Sequence, residues 1–356
     1  MSHFVQIKNS LKLRMHRSFL GFCFIAGVVF IGFQGLNPVT VHAAEPATIA
    51  IDGSSTVYPV TEAVAEEFQK ETKGTVRVTV GISGTGGGFK KFVRGETDIQ
   101  DASRPILASE MEQAKANKIE YIELPIVFDA LTVAVNPKNT WVDFLTVDEL
   151  KKLWEPAAQG TVMKWNQIRP NWPAEKIELF GAGSDSGTFD YFTEAIVGKA
   201  KSSRGDYTGS EDDNVLIQGI EGNVNALGYI PFAYYAPNMR RLKAVPIQWD
   251  KNVVKGPVLP SKENVLKGTY NPLARPLFIY VNAKSVKEKP AVKKFVEFFI
   301  ENAEAIATQV KYLPLAESDY EKVMERFESM KLGTAFGGVP EVGVKVEEIL
   351  SREPKN

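Results

Sequence analysis

The sequence predicts an α/β protein with mainly parallel sheets and more than one compact unit. Three observations carry this. The order strand, turn, helix repeats along the chain, as it does where crossover helices join parallel strands. At 356 residues the chain is too long for one ordinary core, so two domains are expected. Polar turns rich in glycine, serine and threonine also recur behind strands or apolar runs, and in α/β sheets ligands gather at those carboxyl ends.

The amino-terminal segment stands apart. Lys8, Lys12, Arg14 and Arg17 precede an apolar run from about Phe19 to Phe33, and Val41-His42-Ala43 then offers small residues at cleavage positions. This is the layout of a secretory signal with a long basic region. A spanning helix needs about 20 apolar residues, more than this run supplies, so cleavage before Ala44 is expected, with a retained anchor as the alternative. Removal of residues 1–43 leaves 38 of the 42 basic groups against 43 acidic ones, a formal charge of −5. That argues against a nucleic-acid partner, which calls for a basic excess. Cys23, the single cysteine, and all three histidines (His3, His16 and His42) lie in the same segment. The mature chain then has no Ser–His or Cys–His nucleophile pair and no histidine-rich zinc site. No catalytic residue, cofactor or metal is expected.

Residues 48–51 read as a strand, and GSSTVYP turns it into a helix on which Val60, Val64 and Phe68 share a face and Pro59 suits the first turn. TVRVTVG at 75–81 alternates as a strand does. SGTGGGF then opens a second helix, and TDIQDASRPI is a short strand ending in a polar turn. Residues 109–118 form a charged helix. Residues 119–136 hold two apolar runs broken by Pro125 and Asp129. A capped helix spans 146–154, and the Trp- and Pro-rich stretch 163–173 is an ordered loop. Residues 177–180 lead into GAGSDSGTFDYF, whose helix carries Phe189, Phe192 and Ile196 on one side. Residues 201–213 are a polar surface loop, LGYIPFAYY and RPLFIYVN are strand-like, 290–309 is a strong amphipathic helix, and two shorter helices close the chain.

Four of the turns share one character: GSST at 53–56, SGTG at 83–86, DASR at 101–104 and SDSGT at 184–188. At least three open a helix, where free N–H groups and the helix dipole favour an anion. Their donors are neutral apart from Arg104. Such donors suit a small desolvated oxyanion, because each hydrogen bond to a charged group contributes about 1.5–3 kcal/mol without a counter-charge. The alternative is four unrelated helix caps. Neither GTGGGFK nor any other turn has nucleotide-loop spacing. Asp98, Asp101, Asp185 and Asp190 stand beside these turns, where they either accept a ligand proton or serve turn amides.

Together IDGSSTVYPVTEAVAEEF, VGISGTGGGFKKFVRGETDIQDASRPI, GAGSDSGTFDYF, NALGYIPFAYY and RPLFIYVN resemble the PstS (SphX-like) phosphate-binding proteins of phosphate ABC transporters, from about residue 48 to about 310. The resemblance implies a two-lobed periplasmic-binding-protein fold of type II with two crossings, near Asn136 and Arg275. Lobe I then comprises 44–136 and 276–356, and lobe II 137–275. It implies phosphate ligands Ser55, Thr56 and the Val57 amide from the first turn, Ser83 or Thr85 from the second, Ser103 and Arg104 from the third, and Ser186, Gly187 and Thr188 from the fourth. Two departures stand out. Ser103 occupies the place of an aspartate of the best-characterised branch, and Ala182 that of an arginine. Arg104 is therefore expected to supply the charge, and Asp101 or Asp185 to accept the phosphate proton. The implied function is an extracytoplasmic receptor that hands inorganic phosphate to a membrane permease, as a periplasmic monomer, with membrane association as the alternative. A binding protein for another oxyanion, a phosphate sensor and a secreted phosphatase are the alternatives.

Overall fold

The computed structural model describes residues 46–184, 186–341 and 344–356. The signal-like segment, with Cys23 and the three histidines, lies outside the described residues, as does Asp185. Twelve strands follow in chain order among them: β1 (Ala47–Gly53), β2 (Val76–Ile82), β3 (Ile99–Ala102), β4 (Tyr121–Val135), β5 (Leu145–Thr146), β6 (Glu178–Ala182), β7 (Thr208–Ser210), β8 (Ala226–Pro231), β9 (Lys243–Ala244), β10 (Ile247–Gln248), β11 (Ala274–Asn282) and β12 (Leu313–Pro314). Eight of them form the main path β2-β1-β3-β11-β4-β8-β6-β7.

The sheet is mixed in an ordered way. Its outer runs, β2-β1-β3 and β8-β6-β7, are parallel, as the strand–turn–helix pattern requires. The two central strands, β4 and β11, run antiparallel to each other and to their outer neighbours. β4 is the shared spine. It pairs with β11 over residues 121–130 and with β8 over residues 131–135, so the partner changes between Ala130 and Leu131. The chain returns through residues 271–273 into β11. The strands before and after the middle segment thus build one half of the sheet, and the middle segment builds the other. This is a two-lobed α/β fold with two crossovers.

The apolar stretch read as two runs is one strand, buried along all 15 residues. Pro125 does not break it, because the ladder slips there. Leu277 pairs with Val127 while Phe278 pairs with Pro125, leaving Ile126 as a bulge beside the residue that has no N–H to donate. LGYIPFAYY does break: Pro231 ends β8, and Phe232–Tyr235 is one helical turn.

The helices form where caps and apolar faces predict. α1 (Tyr58–Glu71) has Pro59 in its first turn and buries Val60, Val64 and Phe68. It packs on the helix Pro290–Gln309, with the Phe68 and Phe295 rings edge to face at 5.2 Å. α2 (Thr85–Phe92) and α3 (Ala108–Ala116) follow β2 and β3. α4 (Val147–Trp154) starts in a capping box of Thr146 and Glu149. α5 (Gly187–Phe192) follows β6, and α6 (Asp213–Gly222) follows β7. The turns of interest therefore sit at the carboxyl ends of β1, β2, β3 and β6.

Candidate functional site

The first turn is fixed by its glycine. Gly53 has φ +148°, and a Cβ there would lie 2.1 Å from the Asp101 carbonyl oxygen. This close approach lets the Ser54 amide donate to the same carbonyl at 3.0 Å, joining the first turn to the third. The Val57 amide does not face outward as expected. It donates to the Ser54 carbonyl at 3.2 Å, because the turn closes on itself before α1 begins, and the Val57 side chain is fully buried. Thr56 points the other way: its Oγ1 donates to the Gly187 carbonyl at 3.3 Å, and its own carbonyl accepts from Tyr312 Oη at 2.8 Å.

At the second turn the two candidate hydroxyls differ. Ser83 Oγ donates to Asp52 Oδ1, and Lys91 Nζ holds the other Asp52 oxygen at 2.5 Å, so the Ser83 proton is committed. Thr85 Oγ1 accepts from the Ser103 amide at 3.1 Å and lies 2.9 Å from Ser103 Oγ. One proton serves that hydroxyl contact, which leaves the other free to donate. Behind Gly84, the amides of Thr85, Gly86 and Gly87 have no partner among the described residues. They are the orphan donors of the first turn of α2, with the positive end of its dipole behind them.

In the third turn Arg104 is held firmly. Nη1 donates to Glu110 Oε2 at 2.9 Å and to the Pro105 carbonyl at 3.0 Å, and Nη2 donates to Glu110 Oε1 at 2.8 Å. Burial works against its charge, yet Glu110 and then Glu194 keep its pKa above the ordinary arginine value. Asp101 turns inward, where Thr61 of α1 donates to Oδ1 at 3.0 Å. Burial pushes its carboxyl up to about 8, and Asp52 adds to the rise against the pull of Thr61. Asp98 serves structure too, accepting from the Ala50 amide, Ser285 and Lys289.

The fourth turn caps its own helix: Ser186 Oγ accepts from the Thr188 amide at 3.1 Å. Gly187 is required by proximity, since a Cβ would stand 2.9 Å from the Thr56 backbone. Asp190, in the first turn of α5, has a buried Oδ1 with no partner among the described residues. Burial raises its carboxyl pKa and Glu194 adds to this, while Lys201 and Arg275 lower it.

The four turns thus meet, and two cavities flank their meeting point. The larger, about 560 Å³, is lined by Ser55, Thr56, Ser83, Thr85, Gly86, Gly87, Ser103 and Arg104, and beyond them by Asp190, Glu194, Lys201 and Arg275. The smaller, about 210 Å³, takes in Ser55, Ser186, Gly187 and Thr188 together with Asp129, Asp213, Lys311 and Tyr312. Ser55 faces both, and the Thr56–Gly187 contact lies between them. Of the ten residues the sequence singled out, nine line one or both cavities; Val57 does not. Reading the sequence missed Arg275, Glu194 and Lys311. Arg275 stood in view within RPLFIYVN, but a lone arginine at the start of a strand carries no sign of the cavity it reaches. Among the described residues no group of three or more His, Cys, Asp or Glu could hold a metal ion, and no helix is long and apolar enough to cross a membrane.

Comparison with known proteins shows the family. A family model described as a PBP superfamily domain matches residues 39–303. The chain is 51% identical over 306 residues to Protein SphX of Synechocystis sp., covering 86% of this chain and 90% of that one. It is 34% identical over 281 residues to the Phosphate-binding protein PstS of Staphylococcus saprophyticus, covering 78% and 84% respectively. Among solved structures, a possible phosphate binding protein from Planctomyces limnophilus is similar with a TM-score of 0.76 and 46% identity, over 80% of this chain and 99% of that one.

Proposed function

The chain belongs to the PstS/SphX-like family of phosphate-binding proteins within the PBP superfamily, and from that premise we propose that it captures inorganic phosphate between its lobes and delivers it to an ABC-type permease. The observation that carries this reading is the convergence of three hydroxyl- and amide-bearing turns, with the α2 amides and the Arg104 guanidinium, on one cavity, to which the fourth turn is joined by the Thr56–Gly187 contact. Neutral dipoles and one or two guanidinium groups suit an anion taken out of water. Thr85, Ser103 and the amides of residues 85–87 are the donors from lobe I, with Ser55 and Thr56 beside them. Ser83 supports them by holding Asp52. Ser186, Gly187 and Thr188 close on the anion from lobe II. We take lobe I as 44–136 with 276–356 and lobe II as 137–275, a division supported by the change of pairing partner along β4 between Ala130 and Leu131.

Among the described carboxylates, Asp190 is the best candidate to accept the phosphate proton. Its unpartnered Oδ1 and raised pKa suit a hydrogen bond from HPO4(2−) or H2PO4(−), whereas a fully ionised sulfate offers no proton and is repelled. Asp101, engaged by Thr61, is poorly placed for this. A binding role fits a chain whose described residues contain no histidine or cysteine, and the family is one of substrate-binding proteins. We read the protein as an extracytoplasmic monomer after removal of residues 1–43. Titration of the mature protein with phosphate, arsenate and sulfate between pH 5 and 9 tests the reading. Phosphate and arsenate should bind and sulfate should not; equal sulfate affinity would overturn it. Asp190→Asn should raise sulfate affinity by at least about tenfold, the scale of one relieved charge contact. The phosphatase alternative requires release of product from a chromogenic phosphate ester, and we expect none.

A further inference from the structure

Of the two guanidiniums that line the larger cavity, Arg275 is the less satisfied. It sits at the start of β11, opposite Asp129 of β4. Its guanidinium lies over Tyr191, with Cζ 3.6 Å from the ring centroid, a contact that holds the fork without using its N–H groups. Nη1 donates to Glu194 Oε2 at 3.2 Å, and Nε is buried without a partner among the described residues. Arg104, by contrast, spends both Nη atoms on Glu110 and the Pro105 carbonyl. The two guanidiniums line the same cavity of about 560 Å³. Glu194 lies between them: it pairs with Arg275 and is close enough to support the Arg104 charge. It belongs to the π-helical turn Thr193–Val197 that continues α5, the helix whose amino end carries Ser186, Gly187 and Thr188. A π turn re-aims a side chain that an unbroken α-helix would place elsewhere.

We infer that Arg275 is the second guanidinium of the anion site, and that Glu194 is its resident counter-ion, occupying in the free protein the N–H groups that a phosphate oxygen takes on binding. The inference rests on the phosphate reading of the site. It explains how a site whose four turns carry a single arginine, Arg104, gathers enough positive charge: the second cation comes from β11. It also gives Glu194 a definite role. A carboxylate that must yield lowers phosphate affinity, and it keeps the guanidinium from being a buried unpaired charge when no ligand is bound. Its half-exposed side chain, 43% accessible, has water to move into.

The test is a double-mutant cycle on the mature protein, with inorganic phosphate as the probe, by isothermal titration at low salt. Arg275→Gln should weaken phosphate by about a hundredfold, the loss of a charge-assisted pair of hydrogen bonds. Glu194→Gln should tighten it about three- to tenfold by removing the competitor. In the Arg275→Gln background the gain from Glu194→Gln should vanish. Arg275→Lys keeps the charge without the planar fork and should recover part of the loss, which separates a ligand role from a folding defect. A loss below about tenfold in Arg275→Gln, or an undiminished Glu194→Gln gain in the double variant, overturns the inference. Failure of the wild-type protein itself to bind phosphate would overturn the phosphate reading instead.

Discussion

At the scale of single residues, the chemistry of the site depends on which polar atoms are already committed. Asp101 shows this most sharply. Its carboxyl is fully buried, with one oxygen bonded to Thr61 and the other without a partner among the described residues. Burial favours the protonated form and pushes the pKa up to about 8, so the folded state holds a proton that the unfolded chain releases near its ordinary value of 3.8. The resulting stability is fully present below pH 4 and is lost as pH rises through about 8. Asp101→Asn, neutral at every pH, should not lose it. Its thermal stability relative to wild type should rise between pH 5 and pH 8, by at least about 2 kcal/mol. Parallel melting curves across that range would show that Asp101 is ionised in the fold. The residue types were legible in the sequence, because serine, threonine and glycine behind a strand signal an anion turn. Their commitments were not. Whether Ser83 gives its proton to a ligand or to Asp52 depends on a partner 31 positions away. Whether Val57 offers its amide depends on how tightly Ser54 folds back.

At the scale of elements, the strand-to-helix turns were readable and the spine of the sheet was not. Apolar alternation and caps located α1, α2, α4 and the helix Pro290–Gln309, because those signals are local. β4 was divided by the rule that proline interrupts a ladder. The rule yields here to a bulge at Ile126 beside Pro125, which only the pairing with β11 creates. The contact between the first and fourth turns is likewise non-local and turns on Gly187. Its backbone would accept alanine at the start of α5, but the added methyl would stand 2.9 Å from Thr56 Cα and force the turns apart. Gly187→Ala should therefore cost at least about tenfold in phosphate affinity while lowering stability by no more than about 1 kcal/mol, since a helix position near a cavity can relax. Unchanged affinity measured by titration would mean that the two turns need not touch when the anion is held.

At the scale of the whole molecule, the lobes are joined beside the site by contacts that involve no ligand. Lys311, just beyond the helix Pro290–Gln309, lies with Nζ 3.8 Å from the Tyr234 ring centroid. Tyr234 belongs to the middle segment that forms the other lobe. Burial, with Asp212 beside it, pushes the Asp213 carboxyl up to about 6 against the pull of Lys311. On the opposite side of the Thr56–Gly187 contact, Arg275 spans to Tyr191 and Glu194. A binding protein whose closed state is favoured by such contacts binds more tightly in proportion to the fraction already closed. Lys311→Met removes the charge while keeping an unbranched side chain over the ring. An exposed cation–π contact contributes about 0.5–1 kcal/mol, so affinity should fall about two- to fivefold. The loss should lie in faster phosphate release, because opening must precede escape while encounter with the open cleft is unaffected. Stopped-flow release from the loaded protein measures this directly. A slower uptake with unchanged release would place Lys311 in electrostatic steering of the incoming anion instead, and raising the salt concentration would then erase the difference from wild type.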